Sequence, residues 1–307
     1  MLNPLMKSGA LLLSAALAAT AEVREFPGGK ELPHEKYIHA VPESVSPVQQ
    51  VYIKSKDGLY IAAAMRKPKG DGPFPALIHF HGAPGGRGME KLVTWSRGDT
   101  GSPFFERFLQ EGYAVIVADY RGGQNFRTLG DYMKSGGVTY ADDAEAVVEF
   151  AKAQPFVDAN RLHVYGVSLG GDVTMHLLSR VKLRGAILGA GAPFSFLGVQ
   201  FDPNAKQEDR MKTMTVDRPA ALERIGKIQT PLLILVGTKD SLLPVDRRLH
   251  DLMSEAGKPV RMEIYENGYH DFVMGPQGHA GRAEPLMDIT LDALESAVKF
   301  FKAPDAR

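Results

Sequence analysis

The apolar positions along the chain form short continuous runs, separated by stretches in which apolar residues recur at helical spacing. Continuous apolar runs are typical of strands buried on both faces of a parallel sheet. They predict strands at ALIHF (76–80), YAVIVADY (113–120), RLHVYGV (161–167), RGAILGAG (184–191), PLLILVG (231–237) and VRMEIYE (260–266). The helical spacing predicts helices over residues 104–112, 139–154, 169–180, 244–256 and 284–302. Such alternation indicates an α/β fold with a mostly parallel, doubly wound sheet and helices on both faces.

The segment before this alternation has a different pattern. Residues 22–48 are rich in proline and polar residues, which predicts an irregular lead. Residues 49–56 and 59–68 then predict two strands of a hairpin, separated by the turn Lys56-Asp57-Gly58. With this hairpin the sheet has about eight strands, and residues 22–307 are expected to form one domain.

A long insertion, residues 193–230, separates two of the predicted core strands. A segment of this length inside a compact domain is usually a lid or a binding element. It begins with aromatic residues and has a helical pattern from Asp217 to Ile228. Its apolar side chains are candidates for a substrate pocket, and packing within the lid explains them equally well: Phe194, Phe196, Phe201, Met211 and Met214.

The first 21 residues have the pattern of an export signal. Lys7 is followed by an apolar run from Gly9 to Ala19 and by the small-x-small site Ala19-Thr20-Ala21. The run is short for a membrane span, although an uncleaved anchor is the alternative. We expect residues 1–21 to be a signal peptide, cleavage before Glu22, and a periplasmic or secreted mature chain without stable membrane insertion. The chain has no cysteine, which excludes a lipoprotein anchor and disulfide bonds.

The charge and composition exclude several classes of partner. The 36 basic and 36 acidic side chains balance, so no net charge attracts nucleic acid or an anionic membrane. No spacing of His, Asp and Glu resembles a metal site, and no glycine-rich phosphate loop is present. We therefore expect no metal and no cofactor, and the oligomeric state stays open.

One strand–helix junction carries the strongest local motif. Gly166-Val167-Ser168-Leu169-Gly170 fits G-x-S-x-G, with a predicted strand before it and a predicted helix after it. In such a turn the serine is a nucleophile in a strained conformation, and the glycines avoid clashes with adjacent backbone. The following helix directs N–H groups at the serine, and the backbone N–H of Leu169 is a candidate oxyanion donor.

A serine nucleophile needs a base and an orienting carboxylate. Asp240 follows the strand at 231–237, and His270 follows the strand at 260–266, so both side chains emerge at the same edge of the sheet as Ser168. Type, order and topology together predict the triad Ser168, Asp240 and His270. Asp246 and His279 are weaker alternatives for the acid and the base.

The loop HGAPGGRG (81–88), called the oxyanion loop below, follows the strand at 76–80 and supplies the second oxyanion donor. Pro84 has no N–H, so the donor belongs to a neighbour. Ala83 is the first choice, and Gly82 and Gly85 are alternatives. For His79 and His81, which flank the loop, we expect structural hydrogen bonds rather than proton transfer.

These residues resemble the α/β-hydrolase superfamily, and within it the prolyl-oligopeptidase-like and dienelactone-hydrolase-like branches. The matching stretches are HFHGAPGG (79–86), ADYRGG (118–123), the segment 140–171, VGTKDSLLP (236–244) and NGYHDF (267–272). The resemblance implies a serine hydrolase of α/β-hydrolase fold with the triad and oxyanion donors named above.

The sequence departs from the peptidases of that family in two features. Fewer than 30 residues lie between Glu22 and the first predicted strand, so we expect no propeller domain of the kind that gates oligopeptidases. The oxyanion loop has Ala83 where those peptidases have a second glycine. Both features favour a small, freestanding esterase over a peptidase. Together with the leader, we expect an exported serine carboxylesterase acting on a small-molecule or carbohydrate-linked ester. An aminopeptidase or acyl-peptide hydrolase is the alternative with the same mechanism, and a non-catalytic binding module is the alternative without it.

Overall fold

The computed structural model describes residues 46–83, 85–97, 102–121, 138–206, 209–275 and 288–303, together with the backbone of 22–24. The expected signal peptide, residues 1–21, and the start of the helix predicted at 284–302 lie outside these residues. Within the described part of the chain, no helix is long and apolar enough to cross a membrane.

Nine strands of the described residues form one open sheet, in the order β1-β9-β8-β7-β6-β4-β5-β3-β2. Strands β2 and β3 form the predicted antiparallel hairpin. The neighbouring strands β5, β4, β6, β7, β8, β9 and β1 all pair in parallel. The strands are β1 (Glu22–Arg24), β2 (Gln49–Lys54), β3 (Tyr60–Arg66), β4 (Phe74–Phe80), β5 (Ala114–Ala118), β6 (Val157–Ser168), β7 (Gly185–Gly191), β8 (Leu232–Gly237) and β9 (Val260–Tyr265). The predicted mostly parallel sheet is therefore confirmed.

The short strand β1 differs from the prediction, which made residues 22–48 irregular. Its three residues pair in parallel with Glu263–Tyr265 of β9. Without it, β9 would be the edge of the sheet with unpaired backbone groups. Three residues are too few for alternation to show in the sequence.

Helices pack on both faces of the sheet. They are α1 (Met89–Arg97), α2 (Phe104–Gln110), α3 (Val138–Lys152), α4 (Leu169–Leu178), α5 (Phe194–Leu197), α6 (Arg218–Gly226), α7 (Leu243–Glu255) and α8 (Asp288–Lys302). The pattern did not predict α1, which follows the oxyanion loop, or the single turn α5. Helix α6 matches the helical pattern within the insertion, and the Asp217 side chain caps it by accepting from the N–H of Ala220.

The two faces of the sheet form two apolar cores, which explains the continuous apolar runs. Along β6, Leu162 and Val164 join one core while Tyr165 and Val167 join the other. Successive side chains of a strand point to opposite faces, so burial on both faces removes the alternation of apolar and polar residues. The layers leave the carboxyl ends of β4, β6, β8 and β9 along one edge, where the predicted site residues lie.

Candidate active site

Ser168 is the last residue of β6 and forms a sharp turn into Leu169, the first residue of α4. Its φ of 52° and ψ of −120° are outside the regions that residues with side chains ordinarily adopt. Such conformations cost energy and are concentrated at functional sites. The turn lifts Ser168 out of the sheet edge, where its side chain borders a cavity.

The glycines on either side of Ser168 are required by close backbone contacts. A Cβ on Gly166 would lie 2.3 Å from Oγ1 of Thr174 and 2.4 Å from the carbonyl oxygen of Gly170. A Cβ on Gly170 would lie 2.0 Å from the carbonyl oxygen of Phe80, at the end of β4. These distances are far below van der Waals contact, so the steric reason predicted for the motif agrees with the geometry.

The predicted acid and base are hydrogen-bonded to each other. Nδ1 of His270 lies 2.9 Å from Oδ2 of Asp240, and the other carboxylate oxygen accepts the N–H of Leu242 at 2.8 Å. The Asp240 side chain is buried, whereas 40% of the His270 side chain is exposed. Because the carboxylate accepts the Nδ1 proton, the tautomer that leaves Nε2 as an acceptor is favoured.

The loops that carry this pair are tied together by their backbones. The N–H of Lys239 donates to the carbonyl of Gly268 at 2.9 Å. A Cβ on Gly237 would lie 2.0 Å from the same carbonyl oxygen, so the loops after β8 and β9 approach as closely as glycine permits. This contact fixes the separation of Asp240 and His270.

Ser168 and His270 border one cavity of about 280 Å³. Its lining residues are Ala83, Ser168, Leu169, Asp172, Ala192, Phe194, Ser241, Leu242 and His270. A larger surface groove of about 620 Å³ lies between β2 and α3 and is lined by none of the predicted site residues. The smaller cavity is the candidate active site because the predicted nucleophile, the predicted base and both oxyanion candidates line it.

The two predicted oxyanion donors approach the cavity from different elements. Leu169 is the first residue of α4, and Ala83 lies in the oxyanion loop after β4. Within the described residues, no acceptor is present for the N–H of Ala83. Pro84 lies outside the described residues. The placement of Ala83 is consistent with a backbone donor directed at the cavity.

Of the apolar residues of the insertion, only Phe194 lines this cavity in the described part of the chain. Phe201 packs edge-on against Phe194 at 5.6 Å, and Met211 and Met214 pack against the apolar core. Phe196 is fully buried between the ring of His176 and the guanidinium of Arg224. Phe196 therefore has a packing position rather than the pocket position considered for it, because it faces the core side of α5.

The alternative acid Asp246 does not bond His270 in the structure. It lies in the first turn of α7 and is fully buried. Burial, together with the nearby Asp240 carboxylate, raises the pKa of Asp246 well above its usual value. Because Asp246 is buried away from His270 and does not contact it, the geometry gives Asp246 no part in orienting the imidazole. The alternative base His279 lies outside the described residues.

Two aspartates of the site were not predicted from the sequence. Asp119 follows β5 and binds three N–H groups of residues 86, 88 and 120, together with His81. Asp172 lies in the first turn of α4 and binds the N–H groups of Ser195 and Phe196. The sequence signal for Asp119 was its place in ADYRGG at the end of a strand, whereas Asp172 had no signal beyond its nearness to Ser168.

The described residues contain no group of three or more His, Cys, Asp or Glu that could hold a metal ion.

The model of the prolyl oligopeptidase family matches residues 105–289, which is more than half of the 307 residues. The match includes Ser168, Asp240 and His270. The chain belongs to the prolyl oligopeptidase family. This finding confirms the resemblance read from the motifs, and it makes the chain a serine hydrolase of this family.

A curated relative extends the similarity to much of the chain. The uncharacterized peptidase YuxL of Bacillus subtilis is 27% identical over 259 residues, which are 78% of this chain and 37% of YuxL. The chain thus spans well under half the length of this relative.

Solved structures with the same fold include both esterases and peptidases. A protein of Klebsiella pneumoniae provisionally assigned as a dienelactone hydrolase has a TM-score of 0.59 at 19% identity, covering 84% of this chain and 99% of its own. The acylaminoacyl peptidase of Pyrococcus horikoshii has a TM-score of 0.58 at 19% identity, covering 87% and 42%. The esterase Est22 has a TM-score of 0.60 at 15% identity, covering 85% and 81%. These likenesses confirm the α/β-hydrolase fold.

Proposed function

We propose that this member of the prolyl oligopeptidase family is an exported carboxylesterase with Ser168 as nucleophile, His270 as base and Asp240 as the orienting acid. The observation that carries the proposal is the hydrogen-bonded His270–Asp240 pair at the cavity that the strained Ser168 borders. Strained serine, oriented imidazole and buried carboxylate are the components that acyl transfer needs at one place.

The mechanism follows from the positions of these groups. His270 Nε2 takes the proton of Ser168 as the Oγ attacks the ester carbonyl, and Asp240 stabilises the imidazolium that forms. The N–H groups of Ala83 and Leu169 bind the oxyanion of the tetrahedral intermediate. His270 then gives its proton to the departing alcohol, which leaves an acyl group on Ser168. Water, activated by the same imidazole, releases the carboxylic acid and restores the serine.

The lining of the cavity favours an ester over a peptide with a free amino terminus. Asp172 is the only carboxylate side chain on the described lining, and its oxygens already accept from two N–H groups and from the Ser195 hydroxyl. The same wall carries the apolar side chains of Ala192, Phe194 and Leu242. A small apolar acyl group fits such a wall, whereas an ammonium group would require an unengaged carboxylate.

The second candidate function is an aminopeptidase or acyl-peptide hydrolase. It is favoured by the relatives, because YuxL is described as a peptidase and the Pyrococcus neighbour as an acylaminoacyl peptidase. The esterase Est22 is the corresponding support for ester hydrolysis. Turnover of p-nitrophenyl esters and of aminoacyl and N-acyl-aminoacyl p-nitroanilides should be compared on one preparation. The proposal expects a higher kcat/KM for the esters, and a higher value for either anilide would favour the peptidase.

The first prediction concerns the nucleophile. Ser168→Ala should lower the turnover of p-nitrophenyl acetate by roughly 10⁴- to 10⁶-fold, as removal of a triad nucleophile does. Ser241→Ala is the matched control, because Ser241 lines the same cavity and has no part in the proposed mechanism. If Ser168→Ala kept most of the wild-type turnover, the assignment of the nucleophile would be wrong. An inert wild-type protein would favour a non-catalytic binding module.

Export rests on the pattern of residues 1–21 and has its own test. When the chain is expressed in a bacterium with its leader, the mature protein should appear outside the cytoplasm with Glu22 as its first residue. A cytoplasmic protein that retains its leader would contradict export without affecting the hydrolase assignment. A small-molecule or carbohydrate-linked ester would meet the enzyme in that compartment.

A further inference from the structure

His81, the first residue after β4, has acceptors at both of its ring nitrogens. Nε2 lies 3.0 Å from Oδ1 of Asp119, and Nδ1 lies 2.6 Å from the carbonyl oxygen of Gly82. A carboxylate and a carbonyl can only accept, so each ring nitrogen must carry a proton to make both bonds. A neutral imidazole has one N–H and a protonated imidazole has two. The contacts therefore correspond to His81 as a cation.

The surroundings of the ring compensate this buried charge. His81 is fully buried, and Asp119 is 4% exposed. The ring stacks on Tyr120 at 4.6 Å and lies 5.4 Å from the ring of Trp95, and aromatic faces attract cations. Burial raises the pKa of Asp119. The hydrogen bond and charge of His81 and the backbone N–H donors lower it by a larger amount, so the pKa of Asp119 lies below its usual value of 3.8.

Other titratable groups, from neighbouring elements, contact the two aromatic rings that pack on His81. Above Trp95 lie two cations, Arg87 of the oxyanion loop at 5.9 Å and Lys91 of α1 at 5.4 Å. Behind Tyr120 lies Tyr140 of α3, at 4.7 Å between ring centroids. Among these described neighbours, Asp119 alone is in direct contact with the ring and opposite in charge.

The carbonyl that His81 binds belongs to the peptide group whose N–H is the predicted oxyanion donor. The C=O of Gly82 and the N–H of Ala83 are parts of one planar unit, and in a trans peptide they point in opposite directions. A donor that holds the carbonyl on the buried side turns the N–H to the other side, and Ala83 lines the cavity there. Donation to the carbonyl also polarises the amide and strengthens its N–H as a donor.

We propose that His81, kept protonated by Asp119, positions and polarises the Gly82–Ala83 peptide so that its N–H stabilises the oxyanion. The inference rests on the proposed hydrolase function, and His81 acts as a positioning residue because it does not touch the substrate. The oxyanion forms after the substrate has bound, so the contribution of His81 belongs to kcat and leaves KM nearly unchanged.

Two substitutions separate the two hydrogen bonds of the ring. The amide nitrogen of asparagine reaches the place of Nδ1, so His81→Asn keeps the donor to Gly82 and loses the contact with Asp119. The amide nitrogen of glutamine reaches the place of Nε2, so His81→Gln keeps the contact with Asp119 and loses the donor to Gly82. Each variant removes the positive charge, which makes them a matched pair.

His81→Gln should be the less active but more stable variant, and His81→Asn the more active but less stable one. His81→Gln should lose roughly 10²- to 10³-fold in kcat on p-nitrophenyl acetate with little change in KM, as the loss of an oxyanion donor does. His81→Asn should lose less than about tenfold, although it is the less stable of the two by thermal unfolding because Asp119 has lost a partner. A merely structural role predicts that the more stable variant is also the more active, and that result would overturn the proposal.

A spectroscopic measurement tests the protonation state independently of activity. The protein is labelled with ¹⁵N-histidine, which gives signals from its nine histidines. The signal of His81 is identified as the one that is lost in His81→Gln. At neutral pH both ring nitrogens of His81 should have the shifts of a protonated imidazole. A single-proton tautomer would overturn the proposal. Absence of ester hydrolysis by the wild-type protein would instead contradict the proposed function, and the nitrogen shifts would still decide the state of His81.

Discussion

Two aspartate–histidine networks flank Ser168, one on each side of the cavity. On one side Asp119 accepts directly from His81. On the other side Ser195 stands between the two residues. Its hydroxyl donates to Asp172 at 2.5 Å, and it lies 2.8 Å from Nε2 of His176. The residue types are the same, and the intervening serine makes the difference.

This difference determines which of the two imidazoles, that of His81 or that of His176, is protonated. Because the Ser195 proton goes to the carboxylate, its oxygen accepts from the Nε2–H of His176, and a neutral imidazole is sufficient. Burial lowers the pKa of His176, which agrees with a neutral ring despite the nearby carboxylate of Asp172. His81 has a carboxylate and a carbonyl to satisfy and requires the cation. The site thus keeps a protonated imidazole beside the loop where negative charge develops, and a neutral imidazole behind the apolar wall.

The largest effect is expected at the ion pair of Asp119 and His81. Asp119→Asn leaves the buried His81 without its counter-charge and weakens the bonds to the oxyanion loop. Removing one partner of a buried ion pair typically costs about 3 to 5 kcal/mol, and we expect a loss in this range in the free energy of unfolding at pH 7. Denaturant unfolding measures it, with the surface variant Asp158→Asn as the control.

The same variant gives a pH dependence with a defined sign. The pKa of Asp119 is lowered by folding, so its contribution is present above the unfolded pKa and is lost as the pH falls through the folded value. The stability difference between wild type and Asp119→Asn should therefore shrink below about pH 4, where the unfolded carboxyl becomes protonated. A difference that stays constant down to pH 3 would contradict a charged pair.

A smaller effect is expected at Asp172, in the network with the neutral imidazole of His176. Asp172 accepts the N–H groups of Ser195 and Phe196 at the start of α5, whose N-cap Pro193 makes no side-chain cap. Asp172→Asn weakens this cap and should cost about 1 to 2 kcal/mol. Since α5 carries Phe194 into the cavity, the preference among p-nitrophenyl esters from acetyl to octanoyl should change. An unchanged profile would show that α5 does not shape the acyl site.

The smallest effect is expected from Ser195→Ala. The substitution removes the link between His176 and Asp172 but leaves both backbone N–H donors on the carboxylate. A lost side-chain hydrogen bond of this kind costs about 1 kcal/mol, and kcat on the acetyl ester should stay near the wild-type value. Thermal unfolding and steady-state kinetics measure the two quantities. A loss in kcat as large as that of His81→Gln would contradict the contrast between the two sides.

The sequence was sufficient for the parallel core, and its motifs indicate Ser168, Asp240 and His270, which stay predicted site residues. Buried strands have continuous apolar runs, and the motif glycines reflect contacts within one turn, so local pattern carries this information. The roles of Asp119 and Asp172 were not predictable, because they depend on N–H groups that folding brings near from other segments. The same limit applies to Phe194 and Phe196. A helix of one turn, such as α5, is too short for a periodic pattern, so the sequence does not indicate which of its side chains point to the cavity and which to the core.

Labelling with a fluorophosphonate, followed by mass spectrometry of the digested protein, tests the central claim most directly. The account predicts one adduct on the peptide that contains Ser168, its loss in Ser168→Ala, and slower labelling in the presence of an ester substrate. A folded wild-type protein that forms no adduct, or forms it on another serine, would contradict the assignment of Ser168 as the nucleophile.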